Sequence, residues 1–265
     1  MSSNIEVKEY PCLLIGMGGT GVKVLQKLKT QFLQKTPGLI AENGGSVMFL
    51  GIDTEPFERS VKHRPLKQGE YEPIGLDTNP KRFVENNLKA DGNFGIKTVW
   101  PEVDGQPYIL NHSAPITMGA SQNRLIGRTA LFISAKDVFS KIRKTIDDFF
   151  RMEKVSEDDF LVPQVHIISS IAGGTGSSLI FDVPYLVKLA AKAADRHVYQ
   201  TGHFVMAGAF QGVLKGSEQQ MRTKANTYTC LRELDNLYRK HAENQAGQGQ
   251  PLWEVRYNAV TGTID

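Results

Sequence analysis

The sequence is poor in most features that set a special class of protein apart. Only two of its 265 residues are cysteine, Cys12 and Cys230, and they lie far apart. No disulfide framework is readable, and both read as reduced core thiols of a cytosolic chain. No apolar run approaches the roughly 18–20 residues that a membrane-spanning helix needs. The polar stretch Met1–Tyr10 is no signal peptide, so the expected location is cytoplasmic. A block of like charge is missing as well. The net charge is +3, and the densest basic stretch, 215–224, contains Glu218 and no aromatic residue. That excludes a nucleic-acid surface. None of the six histidines has metal-ligand spacing; His166, alternating within an apolar run, reads as a core histidine. No Ser–His–Asp or Cys–His arrangement is readable, and there is no internal repeat. Asn111-His112-Ser113 is a glycosylation sequon without meaning in a chain that is not secreted.

What is present is an ordinary globular composition, 40% hydrophobic and 22% charged, enough for one large domain. Strand-like and helix-like periods alternate. Pro11–Ile15 is a short apolar run that ends in glycines, as a buried parallel strand does. Val22, Leu25, Leu28 and Phe32 recur at helical spacing until Thr36-Pro37-Gly38 stops the helix. Val47–Ile52 reads as a second buried strand. Residues 56–118 are an irregular insertion, predicted to hold one helix at about Pro80–Leu88 and an edge strand near Tyr108–Leu110. A helix is expected from Asn123, as N-cap, to about Arg151, with Leu131, Val138, Ile142, Ile146 and Phe149 inward. A third strand, Val162–Ile171, leads to a helix Ser177–Ala194 that tolerates Pro184 only with distortion. Gly202–Phe210 reads as a fourth strand. An amphipathic helix Glu218–Ala242 carries Tyr228, Leu231, Leu234 and Tyr238, and Leu252–Tyr257 reads as a last strand. This order predicts an α/β fold: a mostly parallel sheet with helices on both faces, its ligand at the carboxyl ends of the strands.

Two loops carry the chemistry. Gly16-Met17-Gly18-Gly19-Thr20-Gly21 joins the first strand to its helix, where glycines let the backbone approach a bound group and the helix offers unpaired N–H groups to an anion. Tight strand-to-helix turns also use glycine, and the motif alone does not separate a dinucleotide from a nucleoside triphosphate. Ala172-Gly173-Gly174-Thr175-Gly176-Ser177-Ser178 follows the third strand in the same way. A single dinucleotide site needs one such loop, whereas two can face one polyphosphate. Asp53, after the second strand, suits a ribose hydroxyl, a metal-bound water or plain solvent. Glu218 and Arg222 suit either a ligand or a helical ion pair.

Gly173-Gly174-Thr175-Gly176-Ser177 resembles the phosphate-loop signature of tubulin and of its bacterial relative FtsZ, with Ala172 where the family has one more glycine. Gly16–Gly21 resembles that family's first nucleotide loop, and Asp53-Thr54-Glu55 its second, near the γ-phosphate and metal. Met118-Gly119-Ala120-Ser121-Gln122-Asn123, then Gly127-Arg128, is similar to the third. Glu218 and Arg222 resemble its ribose-contacting pair. The likeness covers nearly the whole chain and looks closest to divergent bacterial tubulin-like proteins. It implies a Rossmann-like GTPase-domain architecture over residues 1–265, a GTP/GDP ligand with Mg²⁺, and a full-length form that polymerises head to tail as a cytoskeletal filament. It implies contacts from Gly16, Gly18, Gly19, Thr20, Gly21, Asp53, Thr54, Gly119, Ala120, Ser121, Gly173, Gly174, Thr175, Gly176, Ser177, Glu218 and Arg222. The family's catalytic loop, its central helix and its C-terminal domain have no counterpart here. The expectation is a truncated chain that binds nucleotide and does not hydrolyse it alone. Two other readings stand beside this one: an NAD(P)-dependent oxidoreductase built on Gly16–Gly21 and Asp53, and a non-catalytic scaffold, which Ala172 favours.

Overall fold

A computed structural model of the chain describes residues 11–61, 65–75, 77, 79–89, 102–104, 106–107, 116, 119–152, 163–245, 257–258 and 263–264. Strand β1 (Cys12–Met17) leads directly into helix α1 (Gly18–Lys35). Next come β2 (Val47–Asp53), a single helical turn α2 (Phe57–Ser60), β3 (Tyr71–Pro73) and α3 (Pro80–Lys89). A two-residue antiparallel pair, β4 (Glu102–Val103) and β5 (Gln106–Pro107), precedes the long helix α4 (Arg124–Met152). Then follow β6 (Gln164–Ser170), α5 (Thr175–Leu179), α6 (Asp182–Ala193), β7 (Tyr199–Val205) and α7 (Ser217–Gln245). The pair β8 (Tyr257–Asn258) and β9 (Thr263–Ile264) comes last.

Five strands form one sheet in the order β3-β2-β1-β6-β7, every neighbouring pair parallel. From β1 the chain builds outward through β2 and β3, then returns to the other side of β1 with β6. The carboxyl ends of β1 and β6 therefore flank the point where the winding reverses, the usual crevice for a ligand in such sheets. β1 and β2 are apolar at nearly every position because both faces are covered, whereas β6 mixes Val165, Ile167 and Ile168 with Gln164, His166, Ser169 and Ser170, and the edge strand β7 is half-buried or exposed throughout. Leu13, Ile15, Leu50, Val165 and Ile167 face the core shared with α4–α7, while Leu14, Val47, Phe49 and Ile168 pack under α1 against Val22 and Leu25. The predicted stripe of α4 is buried in full, from Leu131 to Phe149. Each such side chain contributes about 1.5–3 kcal/mol.

The helix starts are legible locally. Asn123 caps α4, its Oδ1 accepting the N–H groups of Leu125 (3.0 Å) and Ile126 (3.4 Å), as a short polar side chain at that position does. α1 stops where Thr36 donates its N–H to the Phe32 carbonyl and Pro37 follows; a proline cannot continue the ladder.

Elsewhere the structure corrects the sequence reading. The expected helix 177–194 is two helices, broken at Ile180–Phe181. An unbroken helix would drive the Pro184 ring into the Ile180 carbonyl, whereas the break places Pro184 in the first turn of α6, where its missing N–H costs nothing. The fourth strand occupies 199–205, and Ala207–Phe210 turns as a 3₁₀ helix. The insertion holds β3, an unforeseen parallel edge strand beside Gly51–Asp53. The strand expected at Tyr108–Leu110 lies outside the described residues, as does Leu252–Tyr257 apart from Tyr257.

On α7, Tyr228 and Tyr238 are 64% and 72% exposed, and the buried face runs instead through Thr223 and Cys230. The helix carries two apolar stripes, and periodicity alone does not say which one packs. His166 is half-buried, its Nδ1 3.0 Å from Nε2 of the exposed His203. α1 covers Ile168 on that face of β6 and leaves His166, two residues earlier, beside the solvent. Among the described residues no helix is long and apolar enough to cross a membrane.

Candidate functional site

Four segments meet at the carboxyl ends of β1, β2 and β6 around a cavity of about 250 Å³. The first is the start of α1, which follows β1 with no intervening loop: Gly16 and Met17 end the strand and Gly18 begins the helix with φ +68°. A side chain at Gly18 would also meet the Gly176 N–H group at 2.7 Å, so the two glycine segments touch here. No side chain caps α1, and its first turn holds no acidic residue. Its leading N–H groups have no intrahelical partner and, with the helix dipole, present positive potential to the cavity.

The second segment, 173–176, packs against the third, 119–121. A methyl at Gly174 would sit 2.8 Å from the Ala120 Cβ and 2.9 Å from the Asn123 nitrogen. Glycine at 174 therefore serves the close approach of two loops. At Gly173, by contrast, a methyl would meet nothing within 4 Å, so that residue faces open space. The third segment is bent by Gly119 (φ +88°) and by two non-glycine residues in left-handed geometry, Ser121 (+44°) and Gln122 (+63°). Left-handed geometry at a non-glycine residue costs on the order of 1–2 kcal/mol, and such strain persists only where the surroundings hold it.

The fourth segment is the end of β2. Asp53 is 2% exposed; its Oδ1 accepts the Thr54 N–H at 2.8 Å, and its Oδ2 is buried with no hydrogen-bond partner. Burial pushes its carboxyl up to about 7, an effect opposed by the Thr54 N–H and reinforced by the charge of Glu55. The Thr54 and Thr175 hydroxyls lie 2.8 Å apart, which joins β2 to the second glycine loop. A buried carboxylate oxygen without a donor, facing a cavity lined by threonine hydroxyls, suits a hard cation that takes oxygen ligands. No group of three or more His, Cys, Asp or Glu among the described residues could hold a metal by itself. Such a cation would draw its remaining ligands from water and a bound anion.

Of the residues expected at the site, Gly18, Gly19, Thr20, Asp53, Thr54, Gly119, Ala120, Ser121, Gly173, Gly174, Thr175 and Gly176 line this cavity. Gly16, Gly21 and Ser177 lie just behind it. A methyl at Gly16 would sit 2.6 Å from the Gly21 carbonyl, and one at Gly21 would strike the Ile168 carbonyl. Both glycines bring α1 close to the sheet. The Ser177 hydroxyl donates to the Gly173 carbonyl, so it braces the loop. Glu218 and Arg222 pair with each other at 2.6 Å on the exposed surface of α7 and do not line the cavity. Glu55, Ser170 and the Met17 backbone line it without having been singled out as contacts. Ala172 is fully buried without positive φ, so its methyl replaces the family's glycine without strain.

A family model described as tubulin-like matches residues 13–258. No curated protein matches the chain in sequence. Among solved structures, the chain is similar to CetZ from Methanosaeta thermophila strain DSM 6194, with 14% identity over 84% of this chain and 42% of that one, at a TM-score of 0.43. It is also similar to CetZ1 from Haloferax volcanii, a GDP-bound monomer, with 16% identity over 83% and 48% at a TM-score of 0.42. CetZ2 from the same organism, a GTPγS-bound protofilament, matches with 16% identity over 84% and 56% at 0.37. The chain spans about half the length of these solved structures.

Proposed function

Because this chain belongs to the tubulin-like family, we propose that its cavity binds a guanine nucleotide, GTP or GDP, by the phosphates. The observation that carries the reading is the meeting of two glycine segments, 18–20 and 173–176, at one cavity on adjacent strands. A dinucleotide fingerprint needs one such segment. Two segments in contact offer backbone N–H groups from both sides, as a chain of phosphates requires. Hydrogen bonds to a charged acceptor stabilise by about 1.5–3 kcal/mol each, so a few of them suffice for micromolar binding.

Mg²⁺ fits the orphaned Asp53 Oδ2 and the Thr54 and Thr175 hydroxyls, and when bound it would neutralise phosphate charge. The protein's own part is to hold the phosphates on fixed N–H groups and to exclude solvent from Asp53. Head-to-tail self-association in the cytoplasm, and GTP turnover completed by a neighbouring protomer, belong to the same proposal for a full-length, filament-forming protein.

The test is isothermal titration of the chain with GTP, ATP and NAD⁺, each with and without Mg²⁺. Gly173→Glu is the informative variant, because the new carboxylate enters open space at the cavity and repels phosphate without disturbing the packing. It should weaken GTP binding at least about tenfold with an unchanged melting temperature. Gly174→Arg would instead strike Ala120 and report on folding. Preference for GTP over ATP supports the reading. Binding of NAD⁺ without either triphosphate overturns it in favour of the oxidoreductase, and silence from all three overturns it in favour of the scaffold.

A further inference from the structure

Helix α7 does not line the cavity, yet one of its side chains holds two of the loops that do. The Asn226 Nδ2 lies 2.9 Å from the Gln122 carbonyl oxygen, 3.2 Å from that of Ala172 and 3.1 Å from that of Gly173. All three partners are acceptors, so the amide nitrogen and not the oxygen faces them. Two amide hydrogens serve three carbonyls, which makes the contact shared.

The direction of these carbonyls matters more than their number. In a trans peptide the C=O of one residue and the N–H of the next point opposite ways. With the Ala172 and Gly173 carbonyls turned toward Asn226, the N–H groups of Gly173 and Gly174 are turned away from α7, and both residues line the cavity. A peptide flip at either position would exchange a donor for a carbonyl oxygen, which repels an anion. Glycine flips at little steric cost, so bonds to these two carbonyls must fix the planes; of the two, the Ser177 hydroxyl reaches only that of Gly173, whereas Asn226 reaches both. The third bond, to Gln122, holds the strained left-handed pair at 121–122 against the same side chain.

The rest of that helix face is engaged in the same way. Thr227 accepts the Ala207 N–H at 3.1 Å, the Cys230 thiol donates to the Ser177 carbonyl at 3.3 Å, and Glu233 takes the Arg124 guanidinium at the start of α4. These contacts anchor α7, and Asn226 alone among them meets the carbonyls behind the cavity's donors.

We propose that Asn226 is the positioning residue of the anion site, orienting the 172–173 and 173–174 peptide planes so that their N–H groups meet phosphate. The inference rests on the phosphate-binding reading above. Asn226→Leu keeps the size and removes the donors without adding charge. Cys230→Ala removes a neighbouring contact that leaves those peptide planes alone.

Both variants and the wild-type chain are titrated with GTP·Mg²⁺, GMP and inorganic tripolyphosphate, beside thermal melts. Asn226→Leu should weaken GTP and tripolyphosphate by about tenfold to a hundredfold and GMP far less, so that the ratio of triphosphate to monophosphate affinity collapses. Cys230→Ala should leave that ratio unchanged whatever it does to the melt. Equal losses for all three ligands, or an unchanged triphosphate affinity in Asn226→Leu, would overturn the assignment. Failure of the nucleotide reading looks different. Wild-type chain that takes tripolyphosphate but not GTP refutes that reading and still scores Asn226 on the inorganic anion. Binding of neither refutes both.

Discussion

The carboxyl of Asp53 is buried at the edge of the cavity with one oxygen unsatisfied. Folding removes it from water, gives one oxygen the Thr54 N–H and gives the other nothing. Its carboxyl is consequently raised to about 7. The folded chain keeps this proton up to about pH 7, whereas the unfolded chain releases it near the ordinary carboxylate value of about 4. Between those limits the folded state binds more protons, so stability falls as the pH rises and the loss is complete above pH 7. The penalty is on the order of 4 kcal/mol at most. Asp53→Asn should therefore raise the melting temperature of the ligand-free, metal-free chain at pH 8, with the gain shrinking toward pH 4. Melts across that range check it, and a gain that is independent of pH would contradict the burial argument. That Asp53, Thr54, Thr175 and the glycines of 18–19 and 173–176 line one cavity was legible in the sequence because they sit at strand ends, where alternation stops and glycine begins. Asn226 could not. It acts across more than fifty residues of chain, and an asparagine in a helix leaves no local mark of a distant partner. Glu218 and Arg222 show the opposite ambiguity: their spacing of four suits a ligand or an ordinary helical ion pair equally, and in the structure they pair with each other outside the cavity lining.

Among the elements, α1 and β3 are tied by charge as well as by packing. Lys29, fully buried on α1, places its Nζ 2.7 Å from both Glu70 oxygens and 3.3 Å from Glu42, and lies over the Phe49 ring. Glu70 ends the turn that leads into β3. Glu70→Gln leaves the fully buried ammonium short of a partner, whereas Lys29→Met leaves carboxylates that are 20–25% exposed and open to water, so the first change costs more. Glu70→Gln should destabilise by about 2–3 kcal/mol, since Glu42 remains, while Lys29→Met should cost about 1 kcal/mol or less. Urea unfolding of the two variants gives the order, and the reverse order would show that the pair is held mainly by its charge attraction. Neither Lys29 nor β3 was visible in the sequence. A lysine at an inward helical position reads as a break in the apolar stripe, and a three-residue strand with proline at its end falls below the length at which alternation is detectable. The long elements were legible for the complementary reason, because α4 repeats its apolar period over 29 residues and β1 and β2 are apolar almost throughout.

At the scale of the whole molecule, the sheet order places the two glycine segments on neighbouring strands although about 150 residues separate them in sequence. The parallel α/β class followed from the alternation of periods. The sheet order did not, because no local signal states that β6 returns to lie beside β1. That order has a kinetic consequence. Residues 18–20, 53–55, 119–121 and 173–176 meet through contacts distant in sequence, across β1, β2 and β6 and the start of α4, and contacts of that kind are expected late in folding. A nucleotide bound there would grip the finished chain and give no help to the partly folded one. Saturating GTP·Mg²⁺ should therefore slow unfolding and leave the refolding rate unaltered, which stopped-flow mixing into and out of urea would read directly; an accelerated refolding limb would mean that the pocket forms early. In the first case the ligand acts as a latch on a completed fold, and the time the protein stays folded is set by how long its nucleotide stays in place.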